Sequence, residues 1–173
     1  MKSNIAIFGS AFNPPSLGHK SVLDSLSHFD QILLVPSIAH AWGKDMLPFD
    51  IRCQMVEKFL IDVDLPNAKL SRIEEILYTP GDNVTTFSVL NNLQELYPED
   101  GLTFVIGPDN FAKFSSFYKA DAIMHQWSVL ACPETLPIRS TSIRQRCLNG
   151  ESIEDLTTPL VNDFIQQQGI YRD

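Results

Sequence analysis

Lysine and arginine are scarce in this chain, 13 against 21 aspartates and glutamates, which leaves a formal net charge of −8 and an isoelectric point near 4.9. A field of that sign repels nucleic acid and anionic membrane, whose binders carry basic patches, so a small-molecule substrate fits better. Cysteine is scarce too: Cys53, Cys132 and Cys147 are odd in number, far apart and without CxxC spacing. Neither a disulfide framework nor a zinc site follows, and a reducing cytoplasm is the plain expectation. No apolar run approaches membrane-spanning length, and the opening MKSNIAIFGS reaches Gly9 and Ser10 too soon for a secretory leader. Repeats, low-complexity tracts and Ser/Gly-rich linkers are missing as well. With 173 residues and 44% hydrophobic content the chain can fill one core, and we expect one domain over residues 1–173.

What is present is an alternation of strand and helix signals. Asn4 to Phe8 is a short, wholly apolar run, as expected of a strand covered on both faces. Val22, Leu23 and Leu26 predict a helix from about His19 to His28, and Gln31 to Pro36 returns to strand character. Ile51 to Val63 and Thr85 to Tyr97 each place their apolar residues on one helical face. Leu102 to Ile106 and Trp127 to Cys132 are too brief for helices, while Ser140 to Leu148 and Pro159 to Gln168 read as closing helices. The pattern predicts an open α/β fold, a parallel sheet with helices on both faces. The loop from Pro36 to Pro48 is long enough to be suspected of closing over a substrate.

Three segments carry chemistry. The first strand empties into Gly9-Ser10-Ala11-Phe12-Asn13-Pro14-Pro15-Ser16-Leu17-Gly18-His19. In a parallel sheet such a turn sits at the ligand-binding edge. There the glycines would let the backbone approach an anion, and free helix N–H groups can bind phosphate oxygens. The glycine spacing fits neither GxGxxG nor the P-loop. Near the other end, Ile138-Arg139-Ser140-Thr141-Ser142-Ile143-Arg144 offers hydroxyls at an expected helix start and an arginine one turn later, a candidate clamp for phosphates. Between them, Phe104-Val105-Ile106-Gly107-Pro108-Asp109 is a strand ending in a GxD turn, where Asp109 could accept from a ribose hydroxyl and Gly107 could admit a nucleoside.

The first segment resembles the GxFxPxHxGH pattern, or its TxGH variant, of the nucleotidyltransferase superfamily with the HIGH-type signature. The second is similar to that superfamily's ISSTxIR, with Arg139 where serine is usual. The GxD turn and the tail Pro159-Leu-Val-Asn-Asp-Phe-Ile-Gln-Gln-Gln-Gly-Ile-Tyr-Arg172 extend the likeness over nearly the whole chain, toward the bacterial nicotinate-mononucleotide adenylyltransferases.

The resemblance implies a Rossmann-like sheet of nucleotidyltransferase type that binds ATP with Mg²⁺ and moves AMP onto nicotinate mononucleotide, in NAD biosynthesis. It implies catalytic roles for His19, Ser16 and Arg144. His19 would donate to the α-phosphate, Ser16, standing where histidine is commoner, would donate a weaker bond to ATP, and Arg144 would hold the β- and γ-phosphates. It further implies ATP contacts at Gly9, Ser10, Phe12, Gly18, Gly107, Asp109, Ser140, Thr141 and Ile143. Acceptor contacts are implied at Lys44 of the long loop, at Thr85, expected in a helix's first turn, and at Phe117 and Tyr118, expected beside the pyridine ring. A phosphopantetheine adenylyltransferase and a non-catalytic nucleotide sensor of the same fold stay open as alternatives. The sequence leaves the oligomeric state unspecified.

Overall fold

The computed structural model describes residues 2–39 and 45–172. Five parallel strands, β1 (Asn4–Ser10), β2 (Gln31–Pro36), β3 (Ala68–Leu70), β4 (Gly101–Ile106) and β5 (Ser128–Ala131), form one sheet in the order β3-β2-β1-β4-β5. The helices are α1 (Leu17–Asp24), α2 (Phe49–Val63), α3 (Ile73–Leu77), α4 (Thr86–Leu96), α5 (Pro108–Ala112), α6 (Ala120–Gln126), α7 (Ser140–Leu148) and α8 (Pro159–Gln168). Central β1 shows why its sequence is apolar without alternation. Ala6 and Phe8 pack on one face with residues of α1, α2, α7 and α8, and Ile5 and Ile7 on the other with residues of α3, α4 and α6. All four are buried.

The chain winds outward from β1 through β2 to β3, then returns to β1's other side for β4 and β5. The crossovers therefore diverge between β1 and β4, and the loops leaving the carboxyl ends of these two strands frame a crevice.

The open α/β sheet expected from the sequence is the fold observed. The differences are short pieces: β3, α3, α5 and α6 span three, five, five and seven residues, too few for a periodic signal. The first helix is not His19–His28 but Leu17–Asp24. Ser16 caps it in a capping box in which the His19 side chain, rather than the usual Glu or Gln, accepts from the cap's backbone N–H.

Arg52 of α2 is buried to 1% exposure and ties the loops after β1 and β2 together. Its guanidinium donates to the carbonyls of Leu47 (2.8 Å), Ala11 (2.8 Å), Ser37 (2.6 Å) and Ile38 (3.4 Å). Burial lowers its pKa, yet an arginine starts so high that it stays charged. These charge-assisted bonds go to backbone carbonyls, so truncation strands several buried acceptors at once. Arg52→Met is expected to cost about 3 kcal/mol, a melting temperature lower by roughly 6–12 °C for a chain of this size. Calorimetry checks this, and a drop under about 2 °C would contradict the tie.

Candidate active site

The crevice at the switch point is a cleft in two halves. Gly9, Ser10, Gly107 and Asn110, at the ends of β1 and β4, line both. One half, about 250 Å³, is walled by Ser16, Gly18 and His19 and by Ile138 to Thr141. The other, about 340 Å³, is walled by Val35, Ser37, Glu74, Val84, Thr86, Val89, Phe104 and Phe117.

The first half is organised around His19. The backbone N–H of Ser16 points at Nδ1 (3.0 Å) and can only donate, so Nδ1 is the unprotonated nitrogen and Nε2 carries the hydrogen. The Nε2–H donates to Ser10 Oγ (3.0 Å). Beneath the ring lies Phe12, turned into the core by a positive φ of 49°, its centroid 4.8 Å from the imidazole's. Burial pushes the His19 pKa down to about 4, and protonating Nδ1 would also break the bond from Ser16. His19 is therefore a neutral Nε2–H donor at physiological pH.

Several residues expected to touch ligand do other work. The Ser16 hydroxyl is buried, accepting from the His19 backbone N–H (3.3 Å) and lying 3.1 Å from Nδ1, so it caps the helix and steadies the ring. Phe12 and Ile143 are fully buried in the core and meet no ligand surface. Gly18 lines the cleft, but a side chain there would run into the Ile138 carbonyl. Its bareness lets α1 approach the Ile138 segment rather than admit an anion. Arg144 donates to the Asn13 carbonyl (2.7 Å) and Thr141 Oγ1 (3.2 Å), bracing the loop instead of facing the cleft. Ser140 Oγ is spent on the Pro14 carbonyl (2.7 Å), and Arg139 occupies the cap position of α7 without a capping bond, so among the described residues no side chain caps that helix's first N–H groups.

Asp109 is exposed at the rim, in the first turn of α5, and pairs with Arg139 (3.2 Å). Thr85 is the N-cap of α4, not a first-turn residue. Its hydroxyl accepts from Ser88 N–H (3.1 Å), and its neighbour Thr86 lines the cleft. Phe117 lines the second half, edge-on to Phe104, whereas Tyr118 points to solvent beneath the Lys119 ammonium, away from the cleft. Lys44 lies outside the described residues.

Two residues went unread in the sequence. Arg139 lines the first half and was noticed only as a departure from a pattern. Glu74 lines the second half and accepts from the Ile38 backbone N–H (3.2 Å). Burial raises its carboxyl to about 7, against the lowering effects of that bond and of Arg52. It sits in a five-residue helix with no motif around it, so no sequence signal pointed there.

Open parallel sheets hold nucleotides where their crossovers diverge, which sets this molecule among the nucleotide-binding α/β folds. The chain belongs to the cytidylyltransferase-like family, whose profile matches residues 7–146. A "putative nicotinate-nucleotide adenylyltransferase" from Vibrio parahaemolyticus has a crystal structure that superposes with a TM-score of 0.89 at 51% identity, covering 100% of this chain and 97% of that one. A "probable nicotinate-nucleotide adenylyltransferase" of Anaeromyxobacter sp. (strain K) is 25% identical over 97% of this chain and 96% of its own length. The fold is shared with Plasmodium falciparum nicotinic acid mononucleotide adenylyltransferase, solved with NaAD, at a TM-score of 0.78 and 19% identity over 98% of this chain and 97% of that one. The family likeness read from the motifs thus holds along the chain's length.

The two shifted groups link stability to pH with opposite signs. His19 is neutral when folded and titrates at 6.5 when unfolded, so its contribution is full above 6.5 and is lost as pH falls toward 4. Glu74 keeps its proton up to about 7 when folded but only to 4.5 when unfolded, so its contribution is full below 4.5 and is lost as pH rises to 7. Between 4.5 and 6.5 the slopes oppose. Relative to the wild type, the melting temperature of Glu74→Gln should climb more steeply across that window and that of His19→Asn should fall. Parallel profiles for all three proteins would refute both assignments.

Proposed function

We propose that the protein moves AMP from ATP to nicotinate mononucleotide, releasing pyrophosphate and forming nicotinate adenine dinucleotide. The observation that carries this reading is the double cleft. One half offers an imidazole N–H and an uncapped helix start to phosphates, the other offers apolar walls with Phe117 to a flat ring, and they meet over the glycine-lined ends of β1 and β4. The relatives' names point the same way.

In this reaction an oxygen of the acceptor phosphate attacks the α-phosphorus in line, and the bond to the bridging oxygen of pyrophosphate breaks on the opposite side. The nucleophile is already anionic at neutral pH, so no general base is needed. The chain's task is to align two anions and spread the charge that builds between them. His19 does so by turning its Nε2–H from Ser10 Oγ to a non-bridging α-phosphate oxygen. A fixed neutral donor suits this role, having no proton to lose to the oxygen it stabilises. Ser16 acts by holding the ring, and Arg144 by holding the loop. Among the described residues no group of three His, Cys, Asp or Glu could cage a metal. The Mg²⁺ we assign to the reaction would come with the triphosphate of ATP and would supply charge neutralisation there. Among the described residues no helix is long and apolar enough to cross a membrane, and the three cysteines are free and buried, which supports a cytoplasmic setting for this one-domain enzyme.

Acid over amide preference rests on α4. Thr85 caps only the Ser88 N–H, so the N–H groups of Thr86 and Phe87 remain to receive a nicotinate carboxylate. Glu74 favours the opposite reading, because an ionised carboxylate on the same wall would accept from a nicotinamide group and repel nicotinate. Held near 7, Glu74 is largely protonated below that pH and compatible with the acid. Steady-state kinetics at fixed ATP and Mg²⁺ with nicotinate mononucleotide, nicotinamide mononucleotide and phosphopantetheine decides the acceptor by kcat/KM. We expect the acid to be best, and equal or greater efficiency with the amide would transfer the pocket to Glu74's reading. His19→Ala should fold and lose on the order of 10²–10³ in turnover, the usual cost of one preorganised donor. An unaltered rate with a native melting curve would remove His19 from the chemistry.

A further inference from the structure

A triphosphate carries several negative charges, yet the half-cleft that would hold it is poor in positive ones. His19 is neutral, and Glu134 adds a negative charge to the wall. Arg144 is nearby but committed to the Asn13 carbonyl and Thr141. Among the described residues lining either half of the cleft, Arg139 is the only lysine or arginine. Its guanidinium bridges Glu134 (3.0 Å), from the loop after β5, and Asp109 (3.2 Å), from the first turn of α5 after β4. Asp109 is largely exposed, so this pair is screened and weak. The Glu134 carboxylate is mostly buried and holds its partner better.

We infer that Arg139 is a ligand-exchanged phosphate binder: the two carboxylates hold it over the cleft mouth until the triphosphate of ATP displaces them and takes the guanidinium bidentately. This rests on the ATP half of the proposed function and not on the identity of the acceptor. The exchange follows from charge. Two carboxylates outcompete a lone small anion for one guanidinium, whereas a triphosphate that also receives the N–H groups of α7 and His19 outcompetes them. The carboxylate on an anion-binding wall then has a purpose: it keeps the guanidinium extended at the mouth and sets a threshold that inorganic phosphate does not reach. Releasing Asp109 also frees its carboxylate at the rim beside Gly107, where a nucleoside's hydroxyls would lie.

Isothermal calorimetry on the full chain, without acceptor, tests this with ATP, ADP, AMP and adenosine. Arg139→Ala should weaken ATP binding ten- to a hundredfold, weaken ADP less, and leave AMP and adenosine within about twofold, with Arg139→Lys recovering part of the loss. Glu134→Gln should tighten ATP a few-fold, and that gain should vanish in the Arg139→Ala background. Unchanged ATP affinity in Arg139→Ala overturns the inference, as does an equal loss for adenosine, which would make the residue structural. A Glu134→Gln protein that weakens ATP in Mg²⁺ but not in EDTA gives that carboxylate to the metal and also overturns it. A wild-type protein that binds ATP with this phosphate dependence but does not turn over nicotinate mononucleotide supports the exchange while refuting the acceptor. One that binds no ATP refutes both.

Discussion

The loop from Ala11 to Pro15 cannot pair with itself, and everything at the site depends on how its carbonyls are satisfied. Pro14 and Pro15 have no N–H, and the loop runs between a strand end and a helix start with no ladder to join. Four of its carbonyls are met from elsewhere: Arg52 for Ala11, Arg144 for Asn13, Ser140 for Pro14 and Thr157 for Pro15, each donating at 2.7–2.8 Å. Tyr171 adds a bond to the Asn13 side chain at 2.6 Å. With its acceptors occupied on the inner side, the loop delivers Ser16 to the start of α1, and Ser16 delivers the imidazole in one tautomer. A buried unpaired carbonyl costs about 1–3 kcal/mol, so losing a donor is felt as a shift of the whole loop as well as a weaker bond.

This arrangement explains why residues that read as phosphate ligands turn out to be braces. A hydroxyl or guanidinium beside a proline-rich turn has two possible employers, an anion that visits and a carbonyl that is always there. Ser140 and Arg144 are taken by the permanent one, and the Ser16 hydroxyl is taken by the His19 backbone N–H and imidazole. In the proposed reaction the direct work falls to groups whose present partners can be exchanged, the His19 Nε2–H on Ser10 Oγ and the Arg139 guanidinium on its two carboxylates, and to the first N–H groups of α7. An acidic chain that must bind a polyanion therefore relies on oriented dipoles more than on net charge.

The fold was legible because its long elements are strongly patterned. The unbroken run in β1 signalled a strand covered on both faces, and α2, α4 and α8 announced themselves by spacing, with Gly169 ending the last in the left-handed region. The two loops that frame the cleft were legible as well, since a glycine closing an apolar strand run marks the sheet edge where ligands bind. Individual roles were not. Whether Ser16 faces ATP or the imidazole depends on the rotation of one hydroxyl, and whether Thr85 or Thr86 lines the ring half depends on where α4 begins by one residue. Tyr118 and Phe117 are neighbours in sequence but leave an extended turn on opposite sides. Glu74 had no pattern at all, since its position at the cleft comes from the connection between β3 and β4 bringing a five-residue helix to the Ile38 backbone N–H.

The bonds that steady the loop join residues 126, 131, 142 and 158 positions apart. Such contacts form late, because most of the chain must already be ordered before their loop-closure entropy can be recovered. β1 and β2 with α1 and α2 can gather early, from neighbours in sequence, without producing a working loop. The loop after β1 is thus among the last parts to be fixed, waiting on Tyr171. Competence is thereby coupled to completion, and a half-folded chain has a nucleotide fold but no fixed imidazole to act on what it binds.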